Sequence, residues 1–225
     1  MKKFILLVAL VLGVFTFSNT QVVNAEEEST STGATITFTG DNTDPTNPVD
    51  PTDPDNPGTG PGTGMEGPLS LDYVPQMAFG SQKITGNVET YDLTDLKPYI
   101  QVTDKRGTGA GWKVSVSLSA FENTDASKSF DGVITFKNGT TATTTGNSSV
   151  SPTASDPVTI TSGKSEQKLV GTTANNQGMG TWVTRWFPTE SEATTNDSVQ
   201  LTVNTANVST DSYKANLNWI ISNAP

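Results

Sequence analysis

An all-β fold, specifically an antiparallel β-sandwich, is what this sequence predicts, and three observations carry that reading. Short runs of alternating apolar and polar residues recur from residue 68 onward, Gly, Asn and Pro separate them, and no stretch sustains a 3.6-residue period. Threonine, which suits a pleated and half-buried surface, is abundant throughout.

The chain opens with a segment that reads as an export signal rather than as part of the fold. Lys2 and Lys3 form a short basic start, an almost unbroken apolar run follows from Phe4 to Phe17, and Val23-Asn24-Ala25 offers small residues for cleavage. That run is short of the roughly 20 apolar residues a membrane span needs, and no later stretch approaches it. Residues 1–25 are therefore expected to be a signal peptide, with the exported chain beginning at Glu26 and spanning no membrane.

Residues 26–40 contain one alternating stretch, Ala34-Thr35-Ile36-Thr37-Phe38-Thr39, of the right length for a single strand. A lone strand needs a sheet, so it is expected to fold back onto the main domain or to pair with another protein's edge. Residues 41–67 follow as a linker of Asp-Pro, Asn-Pro and Gly-Thr-Gly units. Proline at that density removes ladder donors, and the expectation is an extended, disordered spacer. The sandwich then occupies residues 68–225. Val114, Val116 and Leu118 share a face with Trp112, Val199, Leu201 and Val203 repeat the pattern, and Tyr213, Ala215, Leu217, Trp219 and Ile221 do so again.

Composition narrows the function. The 225 residues include 13 basic and 23 acidic side chains, no histidine and no cysteine, for a formal net charge of −10. Nine of the acids and none of the bases lie between Glu26 and Glu66, so the acidity belongs mostly to the tail. An acidic chain without a basic patch is a poor match for nucleic acid. Without Cys, stability has to come from a core rather than from disulfides. Without His or Cys, histidine-dependent triads, thiol nucleophiles and the usual zinc sites are excluded. Asp92 with Asp95, and Glu190 with Glu192, read as solvated loop acids rather than a glycosidase pair. Ser162-Gly163-Lys164 is too common a pattern to mark a nucleophile, and the Asp-rich linker lacks the spacing of a calcium loop. The expectation is a binding protein, not an enzyme, with no cofactor.

Two stretches carry a family resemblance. Val102-Thr103-Asp104-Lys105-Arg106-Gly107, followed by Gly111-Trp112-Lys113-Val114, closely resembles the first signature of the WxL domain. Tyr213-Lys214-Ala215-Asn216-Leu217-Asn218-Trp219-Ile220-Ile221-Ser222-Asn223-Ala224-Pro225 resembles the second. Pro68-Leu69-Ser70 leading to Phe79-Gly80, and the Asp-Pro-rich stretch before them, support the match. The name-giving pattern has Leu where this chain has Val114 and Ile221, changes that conserve apolar character and strand preference. The resemblance implies a secreted protein of the Gram-positive cell surface, attached non-covalently to the wall through peptidoglycan binding. It also implies assembly with other WxL proteins and a membrane-anchored surface partner. No sorting motif or C-terminal apolar tail is present, so retention is expected to be by binding. The alternative is a structural or adhesive subunit attached through protein partners.

The wall-binding candidates are Trp112, Val114, Trp219 and Ile221. Their alternation leaves two readings open for the tryptophans, core residues between sheets or rings that stack on sugar faces. Secondary candidates are Trp182 and Trp186, which sit with Phe187 after a Gly-rich turn and read either as ligand contacts or as a cap over the core end. Asp104 with Arg106, in the charged turn before Trp112, are also secondary candidates and read either as a locally hydrogen-bonded turn or as a polar site.

Overall fold

A computed structural model describes residues 30–40, 44–172 and 176–223. The expected signal peptide and the final residue of the second signature, Pro225, lie outside these residues. By compactness the chain divides into residues 1–37 and residues 38–225. Residues 30–37 carry no strand and are exposed.

The larger unit is all β apart from one 3-10 turn among the described residues. In chain order its strands are β1 (Leu69–Tyr73), β2 (Val88–Leu93), β3 (Tyr99–Asp104), β4 (Trp112–Leu118), β5 (Phe121–Asn123), β6 (Ser129–Phe130), β7 (Gly132–Phe136) and β8 (Thr140–Thr143). They continue as β9 (Thr153–Ala154), β10 (Val158–Thr161), β11 (Gln167–Gly171), β12 (Gly180–Arg185), β13 (Asn196–Asn204), β14 (Tyr213–Lys214) and β15 (Leu217–Asn223). All their pairings are antiparallel, in three four-stranded sheets ordered β1-β3-β12-β8, β10-β7-β13-β2 and β15-β4-β11-β9, with a small β14-β5-β6 sheet beside them.

The alternation predicts the inward faces well. On β4, Trp112, Val114 and Val116 are fully buried and Leu118 nearly so, while Lys113 and Ser117 are only half-buried. On β13, Val199, Leu201 and Val203 are likewise in the core. β10 packs against β4 and β11, closing one margin of the sandwich. The opposite margin is flanked by β2 and β15, each paired on one side only. The stretch from Tyr213 is broken in two: β14 pairs with β5, then the chain steps across at Ala215 and Asn216 so that β15 can pair with β4.

Two sequence expectations need correction. Residues 34–39 form no strand and every one is exposed. Alternation makes a segment competent for a sheet, but ladder hydrogen bonds come only with a partner edge, and none of the strand pairings involves it. The linker also differs from a free spacer. Its described part, residues 44–67, forms no regular strand, as its prolines dictate, yet it is pinned along the β1-β3-β12-β8 sheet. Val49 N donates to Gln101 Oε1 at 2.7 Å, and Gln101 Nε2 donates to Asn47 O at 3.0 Å. Arg185 Nη1 donates to Pro51 O at 2.5 Å, and Thr145 donates both its backbone N–H and its hydroxyl to the Asp55 carboxylate. Gly60 lets the linker lie against Tyr73, since a Cβ there would fall 2.4 Å from the ring.

The anchor beneath is a buried polar cluster. Asp72, 2 % exposed, accepts from Ser70 Oγ at 2.5 Å, Thr103 Oγ1 at 2.6 Å and Gln101 Nε2 at 3.0 Å. Burial pushes its carboxyl above the ordinary carboxylate range, against the pull of those three donors. A buried carboxylate needs every one of them, and Gln101 serves it and the linker at once.

Candidate functional site

The first signature begins at a sharp turn. Arg106 makes a bidentate pair with Asp104, Nε to Oδ1 at 2.9 Å and Nη2 to Oδ2 at 2.7 Å. The same guanidinium donates to Gly111 O at 2.7 Å and to Asn223 Oδ1 at 2.5 Å. Asp104 is buried, and the pair ties the 105–111 turn to the ends of β4 and β15. As a secondary binding candidate the pair is therefore engaged inside the protein, and Asp104 offers no oxygen to the surface.

Trp112 enters β4 directly after that turn with no exposed surface, and Val114 is equally buried. Of the two readings open for Trp112, the core one matches its burial. Its indole has one polar atom to satisfy, and Nε1 donates to Gly178 O at 2.8 Å. Trp182, on β12 and 5 % exposed, donates Nε1 to the next carbonyl, Met179 O, at 2.9 Å. Two indoles from different strands thus hold consecutive carbonyls of one loop. Gly178 is required there: its φ is +73°, and a Cβ would fall 2.8 Å from Trp112 Nε1. Trp186 is fully buried, edge-on to Phe136 with ring centroids 5.1 Å apart. None of these three rings presents a face on which a sugar could stack, and the burial of Trp182 and Trp186 matches the reading of rings tucked over the core rather than that of ligand contacts.

The loop they fix walls an open groove of about 610 Å³. Its other wall is residues 147–150. Asn147 Nδ2 bridges Thr143 Oγ1 at 2.8 Å and Met179 O at 3.0 Å, Met179 N donates to Ser149 Oγ at 2.9 Å, and Gly178 N donates to Val150 O at 2.8 Å. Ser148, Val150 and Asn176 remain exposed along the rim. The floor is rigid because its polar groups are paired; the rim offers a hydroxyl, a carboxamide and an apolar side chain outward. Sequence reasoning missed this groove, since Asn147-Ser148-Ser149-Val150 has the composition of any turn. The one available signal was the Gly178-Met179-Gly180 run, whose glycines mark close backbone approach.

The second signature is built differently. In the β4–β15 register Ile221 faces Val114 and Trp219 faces Val116, so the two signatures are neighbouring strands. The two motif tryptophans do not meet, because Trp112 faces Asn223, four residues or ~13 Å along β15 from Trp219. Ile221 and Trp219 are half-buried on the edge strand. Trp219 lines a second, larger cleft of about 1160 Å³ between the margins of the two facing sheets. Tyr91 from β2 and Leu217 from β15 contribute from opposite sides, and residues 74–84 run along it. At one end Phe121 and Phe130 stack at 5.0 Å, with Tyr213 edge-on to Phe130 at 4.9 Å. Asp211 sits at the rim, where the Lys128 ammonium, with help from the Ser212 N–H and Asn123, holds its carboxyl down at about 2.

Both signatures thus sit on paired strands, one around a buried indole and one at an open margin, and the match extends far beyond them. Residues 25–225 fit the family model described as WxL domain, surface cell wall-binding. This chain belongs to the WxL family. It is accordingly a cell-surface, wall-associated protein. No curated protein and no solved structure matches it. Among the described residues no group of three acids is placed to hold a metal ion, and no helix is long and apolar enough to cross a membrane.

Proposed function

We propose that this WxL protein is exported from a Gram-positive cell with loss of residues 1–25, and is held on the wall by binding peptidoglycan, without catalysis. The observation that carries the site is the groove at residues 147–150 and 176–180. Its shape depends on the two indole N–H groups of Trp112 and Trp182, which ties the family's first signature to a surface that it does not itself reach. Peptidoglycan presents acetamido groups, hydroxyls and peptide amides, which need both donors and acceptors. Asn176 and Ser148 supply both kinds, and Val150, 66 % exposed, suits a sugar C–H face or an acetyl methyl. Contacts of this kind depend little on salt, unlike those of a basic patch.

Sedimentation of the exported chain with protein-stripped peptidoglycan tests the proposal. Asn176 has φ +64°, so Asn176→Gly removes the carboxamide from a backbone that glycine adopts freely. Combined with Ser148→Ala, it is expected to weaken retention about tenfold, equivalent to about 1.4 kcal/mol, with the circular dichroism spectrum unchanged. Unaltered retention would place the wall-binding surface elsewhere.

The apolar cleft favours a second reading, in which other WxL proteins or a membrane-anchored surface protein attach the chain to the wall. Bare peptidoglycan would then leave the protein in solution until the partner is added.

A further inference from the structure

The cleft beside Trp219 lacks something that the rest of the sandwich has. Along the closed margin β10 packs against β4 and β11. Along the open margin β2 and β15 are both outermost strands, each with an unpaired backbone edge, and apolar side chains line the gap. Tyr91, on β2, lines that gap, and its hydroxyl is buried with no hydrogen-bond partner among the described residues. A buried hydroxyl of this kind costs stability until a donor or acceptor reaches it. An added strand would supply one from its backbone, along with apolar side chains at alternate positions.

The same chain carries a segment of that description. Residues 34–39 alternate Ala, Ile and Phe with three threonines, and Ile36 and Phe38, at 76 % and 84 %, are the most exposed large hydrophobic residues described. The charges match as well. Glu26-Glu27-Glu28 lies upstream of the segment, while Lys83 and Lys214 line the cleft and its carboxylate, Asp211, is already paired with Lys128.

We infer that the cleft between β2 and β15 accepts residues 34–39 of a second copy of this chain, so that copies join head to tail. Reach argues for a second copy. Gly40 lies against the backbone of Lys105 and Arg106, where a Cβ would be 3.3 Å from Lys105 O, and Arg106 in turn bonds Asn223 at the end of β15. Leu217 lies six residues up β15 from Asn223, ~20 Å, whereas a copy's own Ile36 is four residues from Gly40, at most ~14 Å. A copy's own apolar anchors therefore fall short of the inner end of its cleft, and another copy's anchors have no such tether. Donor and acceptor are different surfaces, so each copy can give its segment to one neighbour and receive another's, a heterologous contact that extends head to tail.

The inference goes beyond wall binding and uses a different surface. The chain has no cysteine, which permits a direct test on the exported chain. Copies carrying Phe38→Cys are mixed under mild oxidation with copies carrying Ile84→Cys, a cleft-lining residue 48 % exposed, or with Val150→Cys, exposed at the other groove. The Phe38–Ile84 pair is expected to form mixed disulfide dimers about tenfold faster than the Phe38–Val150 pair. Light scattering should show mass rising with concentration for the wild type and a monomer for Ile36→Asp/Phe38→Asp. That variant alters only exposed residues and should sediment with peptidoglycan as the wild type does, which separates this inference from the wall-binding one. Equal cross-linking rates in the two mixtures, or a wild type that stays monomeric at all concentrations, would overturn the inference. So would a Phe38→Cys/Ile84→Cys double variant that closes a disulfide within one copy at high dilution.

Discussion

Trp112 and Trp219 occupy corresponding places in two signatures, on strands that pair with each other, yet their surroundings are opposite. Trp112 stands on β4, which has β15 on one side and β11 on the other, and its ring is sealed from solvent. Trp219 stands on β15, the outermost strand, and faces an open cleft. The same residue type under the same alternation acts as a buried anchor in one case and as a cleft wall in the other. Strand order decides which. The inner tryptophan shapes a polar groove from beneath, and the outer one leaves an apolar gap to be filled.

Breaking the inner anchor has the largest expected effect. Trp112→Ala should cost about 3–5 kcal/mol, read as a lowered urea midpoint or loss of the fold, because a fully buried indole leaves a cavity. Trp219→Ala should cost less, about 1–2 kcal/mol, because a half-buried ring has less area to lose. A larger loss for Trp219 than for Trp112 would contradict the comparison. Gln101→Ala comes next, at about 1–2 kcal/mol from one donor lost to buried Asp72. Its sharper sign is local: residues 47–49 lose both bonds to Gln101, so protease cleavage between residues 44 and 58 should accelerate while the sandwich persists. Trp182→Phe has the smallest expected effect, about 1 kcal/mol or less. It keeps a large ring but removes the donor to Met179 O, which retains the bond from Asn147 Nδ2. Amide exchange at residues 177–180 should speed up without a change in the far-ultraviolet spectrum.

Much of the fold was legible in the sequence. Alternation placed Trp112, Val114, Val116 and Leu118 on one face, and Val199, Leu201 and Val203 on another, because side-chain period follows from the strand itself. It could not tell a central strand from an edge, since that depends on partners far away in sequence; so Trp112 and Trp219 looked alike. The same blindness explains residues 34–39, whose pattern is sheet-competent but which have no pairing. It also explains the linker, whose anchors Gln101, Thr145 and Arg185 lie 52 to 134 residues away from the groups they hold. The groove was the least legible part. It joins residues 147–150 to 176–180 through backbone carbonyls and short polar side chains that any loop contains.

The most direct test of the division between inner and outer tryptophan is hydrogen–deuterium exchange of the exported chain with soluble peptidoglycan fragments. Slowed exchange is expected at residues 147–150 and 176–180, with residues 74–84 and 213–219 unchanged. Protection confined to the Trp219 cleft, with the groove unaffected, would contradict the account and make the outer tryptophan the wall-binding residue.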